Sequence, residues 1–219
     1  MCDDDTDCDP GLCEAMKCFP RVRSCLELYM LRPDLASAVY PLYPDLNGAD
    51  PVALFCDMNP SSPGWTRVFF DDLDPGVLGV WDPLATSECG DNGQILGPYG
   101  QGDVLTLITD AQQVPHTELR VDATFLIMDS WDAFDNDQII IRLSSEMIFN
   151  QVCDYQSSFA CNQDVDLCNN IEYPDGLLPI STVPVDHDDD AIALEFTSTL
   201  NEWIQQESWG LDRAAVLIR

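Results

Sequence analysis

The sequence predicts a mainly β protein, an antiparallel two-sheet sandwich preceded by a smaller disulfide-rich α+β region. Three observations point there. Apolar and polar residues alternate along much of residues 96–219, with hardly any helical period. The apolar runs are short and are bounded by Pro, Gly, Asn and Asp. Ten cysteines, irregularly spaced and without paired CxxC motifs, fit disulfides in an oxidising compartment rather than zinc sites.

From the N-terminus, residues 1–20 read as a Cys-rich knob, with Cys2, Cys8, Cys13 and Cys18 stapling a loop too short to have a core. The expected pairing is alternating, Cys2–Cys13 and Cys8–Cys18. The acids Asp3, Asp4, Asp5, Asp7 and Asp9 among them could collect a cation, but they read more simply as a charged surface loop. Residues 24–31, SCLELYML, suit a short helix capped by Ser24 and ended near Pro33. The runs SAVYPLYP, VALFCDM and GWTRVFF then read as strands.

Beyond Phe70, the alternation of HTELRVDATFLI sets Thr117, Leu119, Val121, Ala123, Phe125 and Ile127 on one face, and Glu118, Arg120, Asp122 and Thr124 on the other. The same parity argument groups Val104, Thr106 and Ile108, then Ile139, Ile141 and Leu143, then Ile192, Leu194 and Phe196. One wet face per strand is the pattern of an antiparallel sandwich. Cys161 and Cys168 lie in an insertion between strands, where they could close a local loop and leave Cys89 to Cys153.

Two resemblances refine this reading. The order S-C, helix, A-V-Y, F-C-D-M, G-W-T over residues 24–68 resembles the start of a fibrinogen C-terminal-like domain. That family's cysteine pairing implies a Cys25–Cys56 bond here. The remainder of that domain, with its calcium site and ligand pocket, does not follow. Residues 70–219 resemble jelly-roll modules of protist and bacterial cell-surface proteins, on Leu96-Gly97-Pro98-Tyr99-Gly100, the Pro115–Asp132 block ending in DSWD, and the Phe196–Gly210 block ending in ESWG. This second resemblance implies a jelly-roll fold and a surface location. The expected organisation is a disulfide knob at 1–20, a truncated fibrinogen-like subdomain at 21–69 and a jelly-roll sandwich at 70–219.

Composition narrows the function. Aspartate and glutamate number 39 against 9 basic residues, a net charge of −30, which repels nucleic acid and anionic membranes and attracts cations. No run approaches the roughly 18 apolar residues of a membrane span. Met1 is followed at once by Cys2 and a run of acids, so no signal peptide is present and the chain reads as a processed extracellular or cell-surface protein. Enzymes are disfavoured: there is no Gly-x-Ser-x-Gly, no His-Glu-x-x-His and no phosphate-cradling glycine loop, and with 39 acids no carboxylate pair stands out.

The stretch DSWDAFDND, residues 129–137, is the strongest candidate site. Asp129, Asp132, Asp135 and Asp137 follow a strand end, and calcium takes six to eight oxygens from such acidic loops. Should the chain fold back so that ESWGLD lies beside DSWD, Glu207 and Asp212 would join them. The arrangement is a structural calcium site, a solvated acidic turn or a direct ligand site. Trp131 and Trp209 read as packing residues. The run DHDDD at 186–190 reads as an exposed loop, and His116 and His187 as structural.

The expected role is structural or adhesive, a calcium-stabilised subunit of a surface filament or coat whose partners are copies of itself or other surface proteins. The alternative is a calcium-dependent carbohydrate-binding module, with Trp81, Tyr99 and Trp203 as candidate sugar platforms.

Overall fold

The computed structural model describes residues 11–14, 17–45, 50–73, 79–90, 93–132, 136–153, 161, 167–168 and 175–219, with residues 11–20 by backbone alone. A two-stranded ladder of β1 (Gly11–Glu14) and β2 (Lys17–Pro20) sets Cys13 opposite Cys18. The pairing expected for Cys2, Cys8, Cys13 and Cys18, and the acids Asp3 to Asp9, lie outside the described side chains.

Helix α1 (Cys25–Leu31) starts where the sequence places it. The Ser24 hydroxyl accepts the Glu27 N–H at 3.2 Å, and the Glu27 carboxylate accepts the Arg23 N–H at 2.8 Å. The Ser24 cap, worth about 1 kcal/mol, fixes the first turn, and Glu27 also ties down the residue before it. The helix buries Cys25 and Leu28 against Val22, Leu42 and Met58. Cys25 is bonded to Cys56, the pair that the fibrinogen resemblance implies.

The strands follow in order: β3 (Ala38–Leu42), β4 (Val52–Asp57), β5 (Trp65–Asp71), β6 (Trp81–Asp82), β7 (Thr86–Glu88), β8 (Gln94–Tyr99), β9 (Val104–Asp110), β10 (Glu118–Asp129), β11 (Gln138–Leu143), β12 (Glu146–Val152), β13 (Gly176–Ser181), β14 (Val185–Asp186), β15 (Ala191–Ser198) and β16 (Glu207–Ile218). One sheet orders β13-β10-β16-β5-β4-β3, with β8 also on β16. The other orders β12-β11-β15-β9-β6. All pairings are antiparallel. Among β5, β9–β13, β15 and β16, numbered one to eight in chain order, the sheets run 1-8-3-6 and 2-7-4-5, the strand order of a jelly roll. β3 and β4 continue the first sheet, since β5 joins β4 on one side and β16 on the other.

Between the sheets lies one core, in which Leu119, Val121, Phe125, Ile139, Ile141, Ile192, Leu194 and Phe196 are fully buried. Three details differ from the alternation reading. Thr117 is exposed, because it precedes the strand and only its backbone is used, donating to the Arg219 carbonyl. Thr124, Leu126 and Met128 are buried on the second face of β10, the last two in a small cluster with Cys89 and Ile95. On β9 the inward residues are Leu105 and Leu107, while Val104 and Ile108 face outward. Both parities of VLTLI are apolar, so alternation alone cannot choose. Pairing with Phe196 and Leu194 on β15 decides it.

The disulfides of this half are Cys89–Cys168 and Cys153–Cys161, in place of the expected Cys89–Cys153 and Cys161–Cys168. Met128 explains the difference. Its sulfur lies 3.5 Å from that of Cys168, so the second face of β10 draws Cys168 to Cys89, and Cys153 at the end of β12 closes locally on Cys161.

Two glycines fix the junction of β8 and β16. A Cβ on Gly97, whose φ is +124°, would lie 2.9 Å from the Trp209 carbonyl oxygen. A Cβ on Gly210 would lie 3.1 Å from the Leu96 carbonyl oxygen. The glycines of LG-x-YG and ESWG therefore allow one backbone to approach the other.

Candidate functional site

β10 and β16 run side by side with Asp129 opposite Glu207 and Ile127 opposite Trp209, so DSWD and ESWG lie together at one end of the sandwich. Several bonds lock them. The Trp131 indole N–H donates to the Ser208 carbonyl at 2.8 Å, and the Ser130 N–H and hydroxyl both donate to the Gln206 carbonyl, at 3.0 and 2.8 Å. Within the turn, the Asp132 N–H donates to Asp137 Oδ2 at 2.8 Å, and the Asp137 N–H donates to the Asp132 carbonyl at 3.2 Å.

The result is a carboxylate triad. Oxygens of Asp132, Asp137 and Glu207 lie within 4.8 Å of one another, with Asp137 and Glu207 buried and Asp132 half-buried. Burial, reinforced by the neighbouring charge of Asp137, pushes the Glu207 carboxyl up to about 8. The hydrogen bond between the two side chains needs a proton, which Glu207 supplies. The triad is therefore a place where either a proton or a hard cation relieves the repulsion of close carboxylates.

Of the other residues expected here, Asp129 ends β10 at φ 70° and is buried, and Asp212 lies further along β16; neither is part of the triad. Asp135 falls outside the described residues. Sequence reasoning missed Asp175. This buried carboxylate accepts the N–H groups of Asp129 at 3.2 Å, Leu167 at 3.0 Å and Cys168 at 3.1 Å, and so ties the insertion to the end of β10. In YPDG an aspartate looks like a turn residue, and no local pattern marks it as a hub.

The tryptophans sort clearly. Trp131 and Trp209 are fully buried, Trp65 likewise. Trp81 and Tyr99, expected as candidate platforms, are core residues. Trp81 donates to Asp71 Oδ2 at 2.9 Å between Phe69 and Phe196. Tyr99 packs on Trp209 with its hydroxyl donating to the Pro83 carbonyl at 3.1 Å, and burial pushes its phenol up to about 12. Trp203 alone of the five tryptophans is open to solvent, at 78% exposure. It borders a hollow of about 420 Å³ with Gly100, Gln101, Asp103, Asn201, Glu202 and Ile204. The loop beneath it is anchored to the triad. Glu207 Oε2 accepts the Glu202 N–H at 3.3 Å, and the Gln206 and Glu207 N–H groups donate to the Trp203 carbonyl at 2.6 and 3.0 Å.

Elsewhere, Asp188, Asp189 and Asp190 are exposed as the loop reading expects, whereas Asp186 belongs to β14 and pairs with β10. His116 and His187 form a pair with Nε2 to Nδ1 at 2.9 Å, and His116 Nδ1 lies 2.8 Å from the Val114 carbonyl oxygen, which makes it the donor there. Burial and the neighbouring His116 hold His187 below its ordinary value.

No family model and no curated protein matches the chain. Among solved structures, it is similar to dimeric latent PorU from Porphyromonas gingivalis, at 10% identity and TM-score 0.45 over 62% of this chain and 12% of that one. It is also similar to the C-terminal CBM6 of LamC, a marine laminarinase from Zobellia galactanivorans, at 8% identity and TM-score 0.37 over 68% and 91% of the two chains. A third is the CBM36-1 domain of a multidomain xylanase from the hindgut metagenome of Trinervitermes trinervoides, at 12% identity and TM-score 0.35 over 62% and 90%.

Proposed function

We propose that the protein is an extracellular adhesive module that binds glycans through the Trp203 loop, with calcium on Asp132, Asp137 and Glu207 holding that loop in shape. The observation that carries this reading is Trp203 itself. It is a large aromatic ring at 78% exposure beside polar groups of Gln101, Asp103, Asn201 and Glu202, on a loop whose backbone hangs from the triad. An exposed indole presents a flat apolar face and an N–H, which suits the apolar face and hydroxyls of a sugar ring. Paired, buried carboxylates a few ångström apart suit a hard divalent cation with oxygen ligands, and water and backbone carbonyls would complete its shell. The three disulfides among the described residues fit the oxidising setting in which such modules work.

The role is binding rather than catalysis, since the acids of the triad serve the loop and none of the enzyme motifs sought in the sequence is present. The test is a glycan array probed in millimolar-range calcium and again in chelator, with wild type and Trp203→Ala. Glycan signals that vanish in chelator and in the variant are the expected result. An array without hits, or hits indifferent to Trp203, would overturn the reading.

A further inference from the structure

The strongest cationic feature of this acidic protein is on the outer face of the first sheet. Arg67, Arg120, Arg213 and Arg219 belong to this face, out of 9 basic residues in the whole chain. Two of them are already committed. Arg120 pairs with Asp122 at 3.0 Å and Asp57 at 3.6 Å, and Arg219 pairs with Glu118 at 2.6 Å, while both guanidinium groups lie over the Trp65 ring, at 4.8 and 4.6 Å.

The other two are not. Arg67 and Arg213 make no ion pair among the described residues. The Arg67 guanidinium lies 4.3 Å from the ring centres of both Phe55 and Phe70, which pre-position it while leaving its N–H edge to find an acceptor. Arg213 donates one bond, to Thr124 Oγ1 at 3.2 Å. Both line a hollow of about 270 Å³ whose walls also include Pro179, Ile180 and Leu217 and the carboxylates of Asp57 and Asp122, which Arg120 pairs. With Asp57 and Asp122 answered by Arg120, the guanidinium groups of Arg67 and Arg213 are left to receive a further carboxylate. Because Arg67 already covers the Phe55 and Phe70 rings, the hollow offers little free aromatic face to a sugar.

We propose that this face docks a carboxylate-bearing surface of a second copy of the chain. Charge complementarity selects the partner: with 39 acids against 9 bases, a second copy of this chain is itself rich in carboxylates. The contact is heterologous, basic face to acidic surface, and so can propagate from copy to copy. It rests on different residues from the glycan reading and needs no calcium. It also has a salt signature. Two chains of charge −30 repel at long range, whereas the local contact attracts. With a Debye length of about 30 Å at 0.01 M and about 8 Å at 0.15 M, moderate salt removes the repulsion first, and about 1 M salt removes both.

The experiment is sedimentation velocity of the whole chain in chelator, across that salt range, for wild type, Arg67→Gln with Arg213→Gln, and Arg213→Glu alone. The last alters one exposed side chain and leaves the Phe55–Arg67–Phe70 packing intact. Wild type should associate most at intermediate salt, both variants should weaken association by about 10-fold or more, and Arg213→Glu should do so with an unchanged thermal midpoint. A monomer at every salt concentration, or association that both variants leave intact, would overturn the proposal. So would a wild-type chain that stays monomeric yet binds polygalacturonate through Arg67 and Arg213, since the occupant would then be an acidic glycan.

Discussion

Glu207 reaches two places at once: its side chain is hydrogen-bonded to Asp137, and its Oε2 accepts the backbone N–H of Glu202 at 3.3 Å. One carboxyl therefore belongs both to the acidic triad and to the loop that carries Trp203. Replacing Glu207 with Gln keeps the amide oxygen for Glu202 but removes a ligand charge. Calcium affinity should fall by about 10-fold or more, as expected for loss of one carboxylate from a small oxygen site, while the fold persists. Isothermal titration with calcium measures this, and unchanged affinity would count against the triad as the ion site.

The elevated Glu207 value gives a pH signature. Its folded value of about 8 lies above the ordinary 4.5, so between these limits the folded state holds a proton that the unfolded state releases. In chelator, stability should fall as pH rises from 4.5 toward 8, and Glu207→Gln should flatten this limb. On the proposed site calcium would compete with that proton, so added calcium should stabilise the protein more at pH 8 than at pH 5. Thermal midpoints across pH, with and without calcium, decide it.

His187 acts in the opposite direction at lower pH. Its folded value is depressed below 6.5 by burial and by His116, so the unfolded state takes up a proton first. The contribution is present above 6.5 and is lost as pH falls through the lower folded value. Substituting His187 by Gln should reduce the acid sensitivity below pH 6.5, read as the thermal midpoint of variant against wild type.

At the β8–β16 junction, Gly210→Ala and Gly97→Ala should each cost about 1–3 kcal/mol, because the new methyl meets a backbone oxygen that cannot rotate away. Gly97→Ala carries the added strain of φ +124° and should be the worse of the two. By contrast Gly79→Ala, whose new methyl would meet nothing within 4 Å, should be close to neutral. Urea unfolding of the three variants checks the order.

The two bridges of the insertion differ in what they constrain. Cys89–Cys168 closes 79 residues and Cys153–Cys161 closes 8. On loop entropy the first contributes about 4 kcal/mol and the second about 2–3 kcal/mol. Double Cys→Ser variants, each compared by denaturant midpoint, should keep that order. Asp175→Ala should also cost at least about 2 kcal/mol, since it strips the acceptor from three backbone N–H groups.

Much of this architecture was legible because one parity of a strand was clearly richer in apolar residues. Ile139, Ile141 and Leu143, or Ile192, Leu194 and Phe196, leave no choice of face. β9 failed because Val104 and Ile108 compete with Leu105 and Leu107, and only the neighbouring strand resolves the tie. The return of ESWG to DSWD could be posed from sequence as a condition, since two similar motifs at strand boundaries invite pairing. Which acids then converge depends on turn geometry, and Asp132, Asp137 and Glu207 do while Asp129 and Asp212 do not. The exposure of Trp203, and the burial of Trp81 and Tyr99, are matters of tertiary position that no local pattern carries.

The two bridges also determine what a protease can do to this molecule. A cut anywhere between Cys161 and Cys168 yields an upper piece holding Cys89 and a lower piece holding Cys168, which remain bonded to each other. β13, β15 and β16 of the lower piece still share ladders with β9, β10 and β11 of the upper one. Such a chain is broken in sequence and intact in space: two bands on a reducing gel, one on a non-reducing gel. For a protein held by disulfides, cleavage there would cost continuity without costing shape.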